Sequence, residues 1–213
     1  MGFWERHVLP RLIEKACRST EIKEERGRIV PRARGRVLEV GVGSGLNLAF
    51  YDPAKVTELC GVDPSTPLLD RARVRAGAVE IKSTLVHASA EALPFDDASF
   101  DTVLVTYSLC SVTNVARALS EMRRVLRAEG QMLFIEHGLS PEPDVARWQR
   151  LLTPAWRRVG GGCCLDRDVR AELRAAGFFT ADVSAHYGES PRWLGFTCEG
   201  SATKIDRAHP QPA

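Results

Sequence analysis

Several features are scarce in these 213 residues, and each scarcity removes a class of protein. No apolar run reaches the roughly 18 residues that a membrane span needs. Met1–Ser19 lacks the apolar centre and the small-residue cleavage site of a signal peptide. Together these absences predict a cytoplasmic protein with no membrane span. Charge of one sign is also missing. Twenty-nine basic against 27 acidic residues leave a net charge of +2, too small to suggest a nucleic-acid partner. The six cysteines, Cys17, Cys60, Cys110, Cys163, Cys164 and Cys198, form no C-x-x-C pair and no Cys/His ligand spacing. Neither a metal site nor a disulfide framework is expected, and reduced thiols are the default. What remains, with 44% hydrophobic and 26% charged residues, is the composition of one soluble globular domain.

The apolar residues come in short runs. "GRVLEVG", "VTELCGVD", "STLVHAS", "FDTVLVTY" and "GQMLFIEHG" read as buried parallel strands. Helical patterns alternate with them, which is the rhythm of a doubly wound α/β sheet. Thr66 and Pro67 read as an N-cap and first helical position. "NVARALSEMRRVLRAEG" reads as a helix stopped by Gly130. Further on, Asp144–Val159 reads as a helix interrupted by Pro154, and Asp166–Ala176 as one ended by Gly177. "FFTADVSAHY" and "RWLGFTCEG" are two candidate closing strands, and Ser201–Ala213 reads as a frayed polar tail.

"VLEVGVGSGLN" sets three glycines behind the first strand, where an open α/β sheet binds its ligands. The dinucleotide fingerprint G-x-G-x-x-G fails. Its third glycine falls on Leu46 counting from Gly41, and on Leu48 counting from Gly43. The stretch instead matches E-x-G-x-G-x-G through Glu39, Gly41, Gly43 and Gly45. A carboxylate there suits a cofactor carrying an ammonium group, and glycines let the main chain approach it. "GVDPS" ends the second strand with Asp63 and Pro64, the carboxylate being placed to accept hydrogen bonds from two ribose hydroxyls. Ser89, Ala90 and Glu91 follow the third strand and are positioned for the adenine edge.

With "EALPFDDASFDTV" and "RVLRAEGQMLFIEHG" following in order, residues Gly35 to Gly138 resemble the class I S-adenosylmethionine-dependent methyltransferases. The resemblance implies S-adenosylmethionine as cofactor. It also implies a seven-stranded Rossmann-like sheet in the order 3-2-1-4-5-7-6 with strand seven antiparallel. Many relatives carry Asp or Asn where this chain has Ser89. The implied organisation is an N-terminal helical lid over 1–34, the methyltransferase domain over 35–200 and the tail over 201–213.

"TYSLCSVTN", "IEHG", "QRLLTPAW" and "GGGCCLDRD" narrow the likeness to the thiol S-methyltransferases of animals and their bacterial relatives, over most of Gly35–Gly177. This implies a small lipophilic acceptor, a thiol first. The alternatives are C- or N-methylation of a quinone, lipid or secondary metabolite, and a cofactor-binding protein without catalysis. The animal enzymes' N-terminal anchor is replaced by "GFWERHVLPRLIEKAC", whose Trp4, Val8, Leu12 and Ala16 share a helical face. That face reads as a lid over the acceptor, with peripheral membrane contact as the lesser reading. His137, at the end of the fifth strand, is the candidate base, and Tyr107 ends the fourth near the methyl. Glu136 points the other way and is a candidate for orienting a loop or the lid. Trp4, Cys110 and Cys163 are assigned to the acceptor pocket. Adjacent Cys163 and Cys164 invite metalloid binding, but ordinary small buried residues are the simpler reading.

Overall fold

Strands that are apolar on both sides end up between two layers of helix. In β1 (Gly35–Val40), Leu38 and Val40 enter one core and Val37 the other, as alternation along a strand requires. The computed structural model describes Glu14 and residues 17–205. The remaining strands are β2 (Val56–Asp63), β3 (Ser83–His87), β4 (Phe100–Thr106), β5 (Leu126–His137), β6 (Phe178–Tyr187) and β7 (Phe196–Lys204). They form one sheet in the order β3-β2-β1-β4-β5-β7-β6, as expected. β1 to β5 run parallel, and β7 runs antiparallel to both of its neighbours.

Among the described residues five α-helices of more than one turn cover the sheet: α1 (Thr20–Ile29), α2 (Thr66–Ala76), α3 (Val115–Val125), α4 (Pro143–Val159) and α5 (Val169–Ala175). Three start on side-chain caps, which satisfy otherwise unpaired N–H groups. Ser19 caps α1, Asn114 caps α3 and Asp168 caps α5. Ile29 and Val30, at the end of α1, pack with Leu104, Leu133 and Ile135 on one face. Leu119 and Met122 of α3 and Leu173 of α5 pack with Val103 and Phe134 on the other. Among the described residues no helix is long and apolar enough to cross a membrane.

Several boundaries differ from the sequence reading. Ser65, not Thr66, holds the N-cap position of α2, so Thr66 and Pro67 are its first two helical residues. α3 stops at Val125, not at Gly130, because Leu126 is already extended and pairs with Phe100; Gly130 lies inside β5. α4 passes through Pro154 without a break, since that residue is exposed and water can serve the carbonyl it leaves free. α5 begins three residues later than expected, at Val169 behind its cap Asp168. β7 runs on to Lys204, so Ser201–Lys204 is sheet and not tail.

Candidate functional site

The carboxyl ends of β1, β2 and β4 lie side by side, with Val40 opposite both Val62 and Val105. The chain leaves β1 in a turn held to β2, in which the Gly41 and Val42 N–H groups donate to the Val62 carbonyl at 2.8 and 3.0 Å. The three glycines serve different ends. A Cβ on Gly41 would collide with Ser108 Oγ, and one on Gly45 with Leu48 and the Ala72 backbone, so these two are packing glycines. Only Gly43, at φ +54°, has open space where a side chain would be, and it faces a cavity of about 520 Å3. That volume suits a small organic ligand.

Asp63 sits at the cavity's rim with a carboxylate fixed by the main chain. Its Oδ2 accepts from Gly43 N at 2.9 Å, and its Oδ1 from Ser65 N at 2.8 Å. Burial pushes its pKa up against those two bonds. Each oxygen retains a lone pair for a ligand hydroxyl. Pro64, Ser89, Ala90 and Glu91 also line the cavity. Glu91 is turned partly away to accept from Asn114 N at 2.8 Å.

Glu39 lines the cavity floor. It is buried and accepts from Asn47 Nδ2 at 2.8 Å and from the Tyr51 hydroxyl at 2.7 Å. Desolvation pushes its carboxyl up to about 7. Asn47 is in turn gripped by Arg26 Nε at 2.9 Å, an α1 residue that reaches the same cavity. Glu14 and Cys17 line it as well, Glu14 being paired with Arg71 and Arg75 of α2. Arg26, Asn47 and Glu14 carried no sequence signal, because their partners are set by folding and not by spacing. The part of the expected lid that holds Trp4 lies outside the described residues.

On the other side, Tyr107 leaves β4 with φ +51° and lines the cavity. This left-handed conformation costs a non-glycine residue about 1–3 kcal/mol and is typical of functional turns. Its hydroxyl donates to Glu25 of α1, which also pairs with His186 Nε2 at 3.0 Å. Glu136 is buried and accepts from the main-chain N–H of Ser108 at 2.7 Å, Leu109 at 2.8 Å and Cys110 at 3.3 Å. It therefore orients the loop after β4. Burial pushes it to about 7 as well.

His137 does not face the cleft as expected. It lies outside the cavity wall, its ring 4.8 Å from that of Tyr107 and its Nδ1 without a partner. Desolvation drives its pKa down to about 4, so it is a poor base. The alternation of β5 turns Glu136 toward the loop at the cavity's edge instead. Cys110 and Cys163 likewise do not line the cavity; they are buried together with Leu165, while their neighbours Ser111 and Gly161 form the wall. Their loops are tied by Cys164 N donating to the Cys110 carbonyl at 2.8 Å.

Comparison with known proteins places this geometry. A profile described as a methyltransferase domain matches residues 38–134. The chain is 35% identical over 150 residues to thiol S-methyltransferase TMT1B of Homo sapiens, covering 68% of this chain and 62% of that protein. It is 39% identical over 120 residues to a phosphatidylethanolamine N-methyltransferase of Cereibacter sphaeroides, covering 55% and 58%. The chain thus spans less than two thirds of the length of either relative. A solved S-adenosylmethionine-dependent methyltransferase of Thermotoga maritima superposes with a TM-score of 0.63 over 95% of this chain and 100% of that one. At 23% identity, that likeness shows the fold.

Proposed function

We propose, on the premise that this chain belongs to the class I S-adenosylmethionine-dependent methyltransferases, that it methylates the sulfur of small lipophilic thiols. The cofactor supplies an electrophilic methyl group on a sulfonium, open to in-line displacement by a nucleophile. Asp63 holds the ribose through the two oxygens that Gly43 and Ser65 pre-orient. Gly43 brings its backbone against the cofactor, and Ser89 to Glu91 meet the adenine edge. Glu39, at about 7, shifts to its ionised form beside an ammonium group and so binds it as a charge.

The observation that carries the acceptor assignment is the 35% identity to a thiol S-methyltransferase over 68% of the chain, which runs well past the residues 38–134 of the domain profile. The site's chemistry supports it. Of the two residues singled out for catalysis, His137 is withdrawn from the cavity and the Tyr107 phenol is committed to Glu25, with its pKa raised by burial. A thiol, with a pKa near about 8.5, is partly thiolate at neutral pH and needs alignment more than deprotonation. Alignment, and exclusion of water once cofactor and acceptor fill it, are what such a cavity provides. The 39% identity to a phosphatidylethanolamine N-methyltransferase favours amines as a second reading, over a shorter 55% of the chain.

Incubation with methyl-labelled S-adenosylmethionine and a panel of thiols, amines and quinols tests the choice. Label should appear on thiols, at a rate that rises with their thiolate fraction. Label confined to amines or quinols overturns the thiol reading, and cofactor binding with no product overturns catalysis.

A further inference from the structure

Of the described large apolar side chains that remain exposed, three lie on a single helix. Trp148, Leu151 and Val159 of α4 are 56%, 66% and 56% exposed. With Ala155, also exposed, they are spaced by three, four and four residues and share one face. The opposite face, with Ala146, Gln149 and Thr153, is buried against the domain. Scattered exposed apolar residues need no explanation, but a contiguous strip along one helix marks an interaction surface.

The charge around the strip is of one sign. Arg147, Arg150, Arg157 and Arg158 are all exposed, and among the described residues none of them pairs with a carboxylate. At 100° per residue, Arg147 and Arg158 border the apolar strip, while Arg150 and Arg157 stand beyond them at the edge of the buried face. Asp144, at the helix start, is the one acidic residue within α4. Elsewhere the protein's arginines are largely engaged, as Arg28 is with Glu199, Arg36 with Glu58, and Arg124 with Glu121 and Asp97.

We infer that α4 is an in-plane docking helix for an anionic lipid surface. Trp148, Leu151 and Val159 enter the acyl boundary, and Arg147 and Arg158 beside them meet the head groups. An amphipathic helix with a Trp/Leu face and an arginine flank has the composition that binds such interfaces, and long arginine stems keep their charge at head-group level while the apolar strip goes deeper. The placement has a functional sense that does not depend on which atom is methylated. α4 ends at Val159 with Gly160 as its cap, and Gly161 forms part of the cavity wall. A lipophilic acceptor dissolved in the bilayer would therefore meet the protein one turn from its pocket.

The test is co-sedimentation of the full chain with vesicles of phosphatidylcholine alone, or of phosphatidylcholine and phosphatidylglycerol in equal parts, with light scattering to follow self-association. Binding should require phosphatidylglycerol. Trp148→Ser with Leu151→Ser should weaken it at least tenfold, given the apolar area withdrawn from the membrane. Arg147→Gln with Arg158→Gln should weaken it about fivefold per arginine and reduce its salt dependence. All four positions are exposed, so unfolding midpoints should match the parent protein, and the arginine pair keeps the test open should the apolar pair misfold. Equal binding to phosphatidylcholine alone overturns the anionic surface. Unchanged vesicle binding in both double variants overturns α4 as the docking element. Self-association that Leu151→Ser abolishes, without vesicle binding, assigns the strip to a second copy of the chain and likewise overturns the inference.

Discussion

Glu39 and Glu136 sit at the ends of β1 and β5, the two strands that flank β4. Both are buried, and desolvation pushes both to about 7. Their partners differ in kind. Glu39 is held by two side chains, Asn47 and Tyr51, from the turn just downstream, and one side of it faces the cavity. Glu136 is held by three main-chain N–H groups, 26 to 28 residues upstream, and lies outside the cavity wall. Equal electrostatic cost therefore supports two different tasks. One carboxylate remains within reach of a ligand's charge, while the other fixes a loop and has no ligand to answer to. A shifted pKa alone does not distinguish a binding group from a structural one; what its oxygens already hold does.

The largest expected effect is on the structural member. Glu136→Ala leaves three buried or half-buried N–H groups without an acceptor, and stability in denaturant should fall by about 3 kcal/mol or more. Glu136→Gln, which keeps an oxygen for Ser108 and Leu109, should recover most of the loss. A fall below about 1 kcal/mol in the alanine variant would falsify the loop-holding role.

Glu39→Gln sharpens the contrast at a smaller scale. Cofactor affinity should drop about tenfold at pH 8, with the fold intact. Because burial raises both carboxyls from an ordinary 4.5 to about 7, the native state binds the extra protons. Their contribution to stability is fully present below about pH 4.5 and is lost as pH rises through about 7. The decline should be visible in unfolding midpoints across that window and be shallower in Glu39→Gln. Cofactor binding near pH 7 should release a proton from the parent protein and none from the variant, as calorimetry in buffers of different ionisation enthalpy would register. An identical proton count in both proteins breaks the comparison.

His137→Ala should matter least to the chemistry. Turnover should fall far less than the roughly 10²-fold expected for a positioned base, and its pH profile should keep its shape. A large loss that shrinks as pH rises past the acceptor's pKa would return His137 to the role first read for it.

Legibility followed the range of the contacts. The sheet order and the positions of Glu39, Gly43 and Asp63 were readable because their partners lie within a turn or at the end of the neighbouring strand. The face of His137 was not, because one residue of register at the end of β5 decides which side it takes, and the strand's apolar run gives no polar alternation to fix it. Cys110 and Cys163 were read as pocket residues from their loops, correctly as to region; packing against Leu165 turns them inward and leaves Ser111 and Gly161 at the surface of the cavity. Arg26 was silent in the sequence, since a single arginine in a helix rich in charge gives no sign that it is buried against Asn47.

The bonds from α1 reach far along the chain. Arg28 pairs with Glu199 across 171 positions, and Glu25 with His186 across 161. Loops of that length close slowly, and contacts of such separation form late. As the polypeptide leaves the ribosome, β1 to β5 can assemble while α1 still lacks both of these partners. It can already pack on β4 and β5 through Ile29 and Val30 and bond Asn47 through Arg26, but its two ion pairs wait for β6 and β7. The ligand-binding floor is thus laid early in synthesis, and the helix that carries Arg26 into it is locked down by nearly the last residues of the sheet to be made.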